Sequence, residues 1–255
     1  MPFVSAGGHR LEYEWIDGPA DAPVLVFLHE GLGSIRQWKD FPQALCAATG
    51  CRGMAYNRYG YGESDVLEAP RKADFMHVEA REALPDLLQQ LGIANPILVG
   101  HSDGASISLI HAGSGFPVRG VLVEAAHVSI EPSNLDAIRR IGADAVASAL
   151  VQRLGKYHRD PAKTFFGWHD VWLCDEFRRW NIESFLPGIR VPLMAIQGAD
   201  DQYGTQAQLT SIARGTGGPC ETHMLPACGH APHREAAAAT LALATRFVAA
   251  LKEAA

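Results

Sequence analysis

The sequence predicts a doubly wound α/β fold with a mostly parallel sheet and an inserted helical cap. Three observations point there. Continuous β-prone apolar runs recur along the chain, they alternate with helical patterns, and one strand-free stretch of about sixty residues interrupts the alternation. A chain of 255 residues buries roughly three-quarters of its unfolded surface. One large core therefore suffices without disulfides or metals.

Pro2 to Ile16 reads as two short strands around the Gly7-Gly8 turn. Val24 to His29 is a continuous run of the kind buried on both faces of a sheet. It ends in the glycine-punctuated loop Glu30-Gly31-Leu32-Gly33-Ser34. A helix is expected over about 38–48, a strand over 52–56 and a loop over 57–64. Ala73 to Leu91 carries apolar residues at helical spacing, with a kink expected at Pro85. Pro96 to His101 is a second buried strand, followed by a turn at Ser102 and a helix over 104–112. Further strands are expected over 118–123 and 191–196, with a weaker one around Met224-Leu225. An Ala-rich helix closes the chain over 235–251.

Between Val128 and Pro187 only helical patterns occur, over 135–154, 161–172 and 176–185. This stretch holds Trp168, Trp172 and Trp180 of the five tryptophans. An insertion between two strands must lie outside the sheet. The expected organisation is a core of residues 1–127 and 188–255, with a cap of residues 128–187. Ligands of such sheets bind beyond the carboxyl ends of the strands, which puts the cap beside the ligand.

Composition narrows the function classes. Apolar residues make up 47% and charged residues 20%, with a formal charge of −6. Lys and Arg are scattered, so no basic footprint for a nucleic acid exists. The N-terminus does not read as a signal peptide, and the apolar runs are strand-length rather than the ~20 residues needed to span a bilayer. Five irregularly spaced cysteines fit free thiols in a reducing cytoplasm. The expected protein is cytoplasmic, a monomer or homodimer, acting on a small molecule without nucleic acid or membrane.

Gly100-His101-Ser102-Asp103-Gly104 is a G-x-S-x-G pattern with a buried strand running in and a helix running out. A Cβ two residues either side of the serine would collide with the crossing backbone. The turn lifts the serine oxygen above the sheet at a helix N-terminus. The plain alternative is a strand–helix turn with a serine N-cap. A serine hydroxyl needs a base to become nucleophilic. Among eleven histidines the best placed is His230, in the loop Cys228-Gly229-His230-Ala231-Pro232-His233 before the terminal helix. His233 is its nearest rival, and His101 is expected to pack beside the turn. Cys228, His230 and His233 could also be read as metal ligands, but no second cluster completes a zinc site. The expectation is therefore no metal and no organic cofactor.

The base needs a carboxylate on its far nitrogen, and Asp200 and Asp201 both follow the strand over 191–196. Only one of two adjacent residues can serve. Oxyanion donors are expected at the backbone N–H groups of Asp103 and Gly31. Glu30 would oppose the developing charge, so it should turn away or pair with a cation. Expected substrate contacts are Glu30, Asp103, His127, Trp168 and Trp172.

Taken in order, the motifs from His29 to Ser34, Asn57 to Ser64, Gly100 to Gly104, Gly198 to Asp201 and Gly229-His230 resemble the landmarks of the α/β-hydrolase family across the whole chain. The resemblance implies Ser102 as nucleophile, Asp201 rather than Asp200 as acid, and His230 as base. Two positions depart from the family pattern. The common glycine after the oxyanion strand's histidine is Glu30, and the arginine expected directly before Gly60 stands at Arg58. The elbow Ser102-Asp103-Gly104 also resembles that of valacyclovir hydrolase-like amino-acid esterases, which implies an ammonium-binding role for Asp103. The plainer reading of Asp103 is a favourable anion in a helix first turn. The expected reaction is two-step hydrolysis of a small or medium carboxylic ester. Thioester, lactone and C–C bond cleavage on the same residues remain open, as does a ligand receptor without turnover.

Overall fold

A computed structural model describes residues 1–253, apart from the side chains of residues 144–146. Eight strands form one sheet: β1 (Phe3–Ala6), β2 (His9–Ile16), β3 (Val24–Leu28), β4 (Arg52–Tyr56), β5 (Ile97–His101), β6 (Gly120–Glu124), β7 (Leu193–Gly198) and β8 (Cys220–Leu225). Their order is β1-β2-β4-β3-β5-β6-β7-β8. β1 and β2 run antiparallel to their neighbours, and β3 to β8 are parallel. The crossover between β4 and β3 and then β5 reverses the winding direction and opens a crevice at the carboxyl ends of β3 and β5.

Alternation along the strands divides the core into two layers. Leu25, Phe27, Val99 and Leu122 pack against Phe41 and Leu45 of the helix Phe41–Thr49 and against Phe247 and Val248 of the helix Ala237–Glu253. Val26, Leu28, Leu98, Val121 and Val123 face the other way, onto Leu84 and Leu87 and onto Ile107 and Ile110 of the helix Asp103–Gly113. Strands sandwiched in this way bury both faces, which is why they read as unbroken apolar runs. No helix among the described residues is long and apolar enough to cross a membrane. All five cysteines are free.

Three expected elements are corrected. The helix over 73–91 is α-helical over Phe75–Val78 and Leu84–Gln90, with a wide π turn over Glu79–Ala83 between them. Pro85 stands in the first turn of the second piece, where its missing N–H removes one bond of the regular ladder. The helix over 135–154 is two helices, Pro132–Ile141 and Asp144–Leu154. The break lies at Gly142, where an added Cβ would come within 2.1 Å of the His169 ring. The helix over 176–185 reduces to 3-10 turns over Phe177–Arg179 and Glu183–Gly188. Between them Asn181 bridges to Ser129 and its side chain accepts from the Glu183 N–H.

The segment between β6 and β7 carries no named strand. Residues of its helices Pro132–Ile141, Asp144–Leu154 and Pro161–Leu173 border a cavity of about 310 Å³ together with Gly31, Ser102 and His127, which follow β3, β5 and β6.

Candidate active site

Strand β5 delivers Ser102 to the crevice through an abrupt turn. Its backbone has φ 52° and ψ −116°, a conformation that costs an L-residue energy and persists only where neighbours enforce it. The enforcement is visible at the two flanking glycines. An added Cβ on Gly104 would lie 2.0 Å from the Leu28 carbonyl oxygen, and one on Gly100 would lie 2.5 Å from the Gly104 carbonyl oxygen. The Ser102 N–H donates to the Glu124 carbonyl at 2.9 Å, tying the turn to β6.

His230 Nε2 lies 2.9 Å from Ser102 Oγ, and its Nδ1 lies 2.8 Å from Asp201 Oδ2 and 3.0 Å from Oδ1. Nδ1 must carry the proton that the carboxylate accepts, which leaves Nε2 free to accept from the serine hydroxyl. Asp201 is held in turn by the Tyr203 N–H at 2.7 Å and by Gln197 Nε2 at 2.5 Å. Asp200 is exposed, and its N–H donates to the Cys228 carbonyl at 2.8 Å. The glycine three residues before Asp201 has a steric basis: a Cβ on Gly198 would come within 2.2 Å of the carbonyls of both Gly229 and Cys228. The loop carrying His230 thus rests directly on the turn carrying Asp201. The Glu235 carboxylate braces that loop by accepting from the N–H groups of Gly229 and Ala231 at 2.8 and 2.9 Å.

His233, the rival base, is committed elsewhere. Its Nδ1 and its N–H both bond Glu124 Oε2, at 2.8 and 3.0 Å, in a buried pair. His101 donates from Nε2 to the His230 carbonyl at 2.7 Å, and burial lowers its pKa to about 4, so it stays neutral. These partners break up the trio Cys228, His230 and His233. Among the described residues no group of three or more His, Cys, Asp or Glu is placed to hold a metal.

Burial lowers the His230 pKa. The Asp201 hydrogen bond and charge, with the negative charges of Glu30 and Asp103, outweigh it and leave His230 above the ordinary value of 6.5. Asp201 shows the mirror image: burial pushes it up, but the His230 hydrogen bond and charge hold it below the usual carboxylate range. A base must be neutral to take a proton. Activity should therefore be lost as pH falls through the His230 value and complete its rise on the alkaline side of 6.5. A kcat/KM profile with one such step checks this, and Glu30→Gln should move the midpoint downward by removing a negative charge.

The expected oxyanion groups flank the same crevice. Asp103 is the first residue of its helix, where N–H groups have no intrahelical acceptor. Among the described residues no backbone carbonyl accepts from Asp103 or from Gly31. Gly31 borders the cavity, and a Cβ there would lie 2.0 Å from Trp168 Nε1. Arg58 explains the displaced arginine. Fully buried, it donates from Nη2 to the carbonyls of His29 and Glu30 at 3.1 and 2.7 Å, pinning the loop that presents Gly31.

Glu30, His127, Trp168 and Trp172 all border the cavity, as does Tyr203, which sequence reasoning missed. Trp180 instead stacks on Phe177 at 5.3 Å. Two expectations need correction. Glu30 borders the cavity and makes no ion pair among the described residues, so the expected pairing with a cation does not occur there. The Asp103 side chain makes no wall of the cavity. It is wholly buried, with both carboxylate oxygens lacking hydrogen-bond partners. Burial pushes its carboxyl up to about 6, against the pull of Arg58 and Arg71. The side chain is no part of the cavity's lining, so the expected contact of Asp103 with a substrate ammonium is not made in this arrangement.

A strained serine between two parallel strands and a helix, bonded to a histidine that is bonded to an aspartate, defines the site of a hydrolase-type fold. The sequence model of the alpha/beta hydrolase family matches residues 25–243, and the chain belongs to that family. It is 32% identical over 102 residues to the sn-1-specific diacylglycerol lipase ABHD11 of Mus musculus, covering 40% of this chain and 32% of that protein. It is 27% identical over 161 residues to the 2-succinyl-6-hydroxy-2,4-cyclohexadiene-1-carboxylate synthase of Salmonella paratyphi C (strain RKS4594), covering 62% and 58%. The matches thus span less than two thirds of either relative. Among solved structures, the enol-lactonase from Burkholderia xenovorans LB400 superposes with a TM-score of 0.77, at 20% identity over 97% of this chain and 99% of that one. At that identity the likeness concerns the fold.

Proposed function

We propose that this protein is a serine hydrolase that cleaves a small or medium carboxylic ester through an acyl-enzyme on Ser102. The observation that carries the reading is the unbroken relay from Ser102 Oγ to His230 Nε2 at 2.9 Å and from His230 Nδ1 to Asp201 Oδ2 at 2.8 Å, opening on a cavity. In the first step His230 takes the hydroxyl proton as Ser102 attacks the carbonyl carbon. The N–H groups of Gly31 and Asp103 receive the charge on the carbonyl oxygen. The C–O bond then breaks, and His230 returns the proton to the departing oxygen. In the second step water, deprotonated by His230, attacks the acyl-serine and releases the acid.

Residues 128–187 serve as the cap over this site. Trp168 and Trp172 give the cavity an apolar wall, which suits an alkyl or aromatic portion of the substrate. The bond cleaved is tested with a matched panel of short esters, thioesters, lactones and vinylogous diketones. The expected result is highest kcat/KM on esters. Turnover confined to the diketones would replace ester chemistry with C–C cleavage.

A further inference from the structure

His127 follows β6 and borders the cavity beside the relay. Its ring centroid is 5.9 Å from that of His230, and it meets Trp172 edge-on at 5.3 Å. Its Nδ1 lies 3.1 Å from Asn134 Nδ2. A side-chain amide can be turned either way, so the direction of that bond depends on what else holds Asn134. Two backbone groups settle it. The Glu131 N–H donates to Asn134 Oδ1 at 2.6 Å, and the Tyr203 carbonyl accepts from Nδ2. The oxygen is therefore on the Glu131 side and the NH₂ group faces His127. Asn134 is completely buried, so no solvent exchange relaxes this arrangement.

It follows that Nδ1 of His127 accepts. In a neutral imidazole the proton then sits on Nε2. Burial and the charge of His230 lower the His127 pKa to about 4, against Asp201 and Glu131, so the ring is neutral throughout the working range. Among the described residues no protein group bonds Nε2. The cavity thus holds a fixed, neutral donor with an unfilled hydrogen bond, beside a wall of tryptophan.

The place of this donor selects a part of the substrate. His230 must hand its proton to the leaving atom, so that atom comes within hydrogen-bond reach of His230 Nε2. The group attached to it then lies along the wall beside His230, and His127 is part of that wall. We propose that His127 Nε2–H donates to an oxygen acceptor on the leaving group. The preferred substrates are then esters whose alcohol portion carries a carbonyl, ether or hydroxyl oxygen rather than a plain alkyl chain. This rests on the serine-hydrolase reading above, because it takes the leaving group's position from the role of His230.

The test compares isosteric leaving groups: 2-methoxyethyl against butyl butanoate and 3-methoxypropyl against pentyl butanoate, each rate divided by that ester's rate with hydroxide. An apolar pocket without a donor favours the alkyl member of each pair. One filled hydrogen bond should instead favour the better-placed ether by about threefold to tenfold in kcat/KM. In His127→Phe the order should reverse, and His127→Gln, which keeps an N–H donor, should recover part of the ether preference. A ratio that already favours both alkyl esters in the native protein, or one unchanged in His127→Phe, overturns the proposal. The tautomer is read without any variant from ¹⁵N spectra of the native protein. A proton on Nε2 of His127 is expected, and one on Nδ1 contradicts the argument. Fluorophosphonate labelling of the same native sample keeps the two readings apart. Normal labelling with no ether preference removes the His127 donor alone, whereas absent labelling removes the serine-hydrolase reading beneath it.

Discussion

Ser102→Ala is expected to abolish ester hydrolysis, lowering kcat by roughly 10⁴-fold or more while leaving the fold intact. The alanine removes the attacking oxygen and nothing else of structural weight. The positive φ at this position is imposed by the backbone around Gly100 and Gly104 rather than by the hydroxyl. Circular dichroism and thermal unfolding should therefore match the native protein, while steady-state hydrolysis of a 4-nitrophenyl ester vanishes. Ser106 and Ser108 are the nearby hydroxyls that could substitute, but both are fully buried in the helix after the elbow. They donate to the carbonyls of His127 and Gly104 at 2.7 and 2.8 Å. Retained activity in Ser102→Ala would move the nucleophile elsewhere.

The second large effect separates two adjacent carboxylates. Asp201→Asn should reduce kcat by about 10⁴-fold, since an amide NH₂ facing His230 Nδ1 would favour the tautomer with its proton on Nε2. Asp200→Asn, at an exposed position whose backbone alone is engaged, should change kcat less than about tenfold. Steady-state kinetics of the two variants side by side decide the matter, and the reverse ranking would make Asp200 the orienting acid.

The contrast between those neighbours shows what kind of information a single sequence carries. The elbow is legible because its constraint is local: glycine is required where an added Cβ would lie 2.0–2.5 Å from a carbonyl oxygen of the crossing backbone. The same holds for Gly198, whose close contact with the loop of His230 underlies its spacing from Asp201. The alternation of strands and helices is legible because strands covered on both faces must be apolar throughout.

What the sequence hides is long-range pairing. Nothing near His233 announces Glu124, 109 positions away, yet that bond takes His233 out of contention. Arg58 reads as a displaced family residue until its contacts with the His29 and Glu30 carbonyls give it a task. The break at Gly142 depends on the approach of His169 from another helix. Asp103 misleads for a related reason. Its neighbour in sequence borders the cavity, but its own side chain is wholly buried and is no part of the cavity's lining. His127 carries no motif at all. Its donor character depends on an asparagine pinned by two backbone groups from different loops.

The account stands most directly on whether Ser102 is the residue acylated. The measurement is reaction of the native protein with a fluorophosphonate, followed by intact mass and peptide mapping. One phosphonyl group per chain is expected, on the peptide containing Ser102 and on Ser102 itself. Labelling should be faster on the alkaline side of the His230 transition and absent in Ser102→Ala. Labelling at another residue, or none under conditions that modify an active serine hydrolase, would contradict the account.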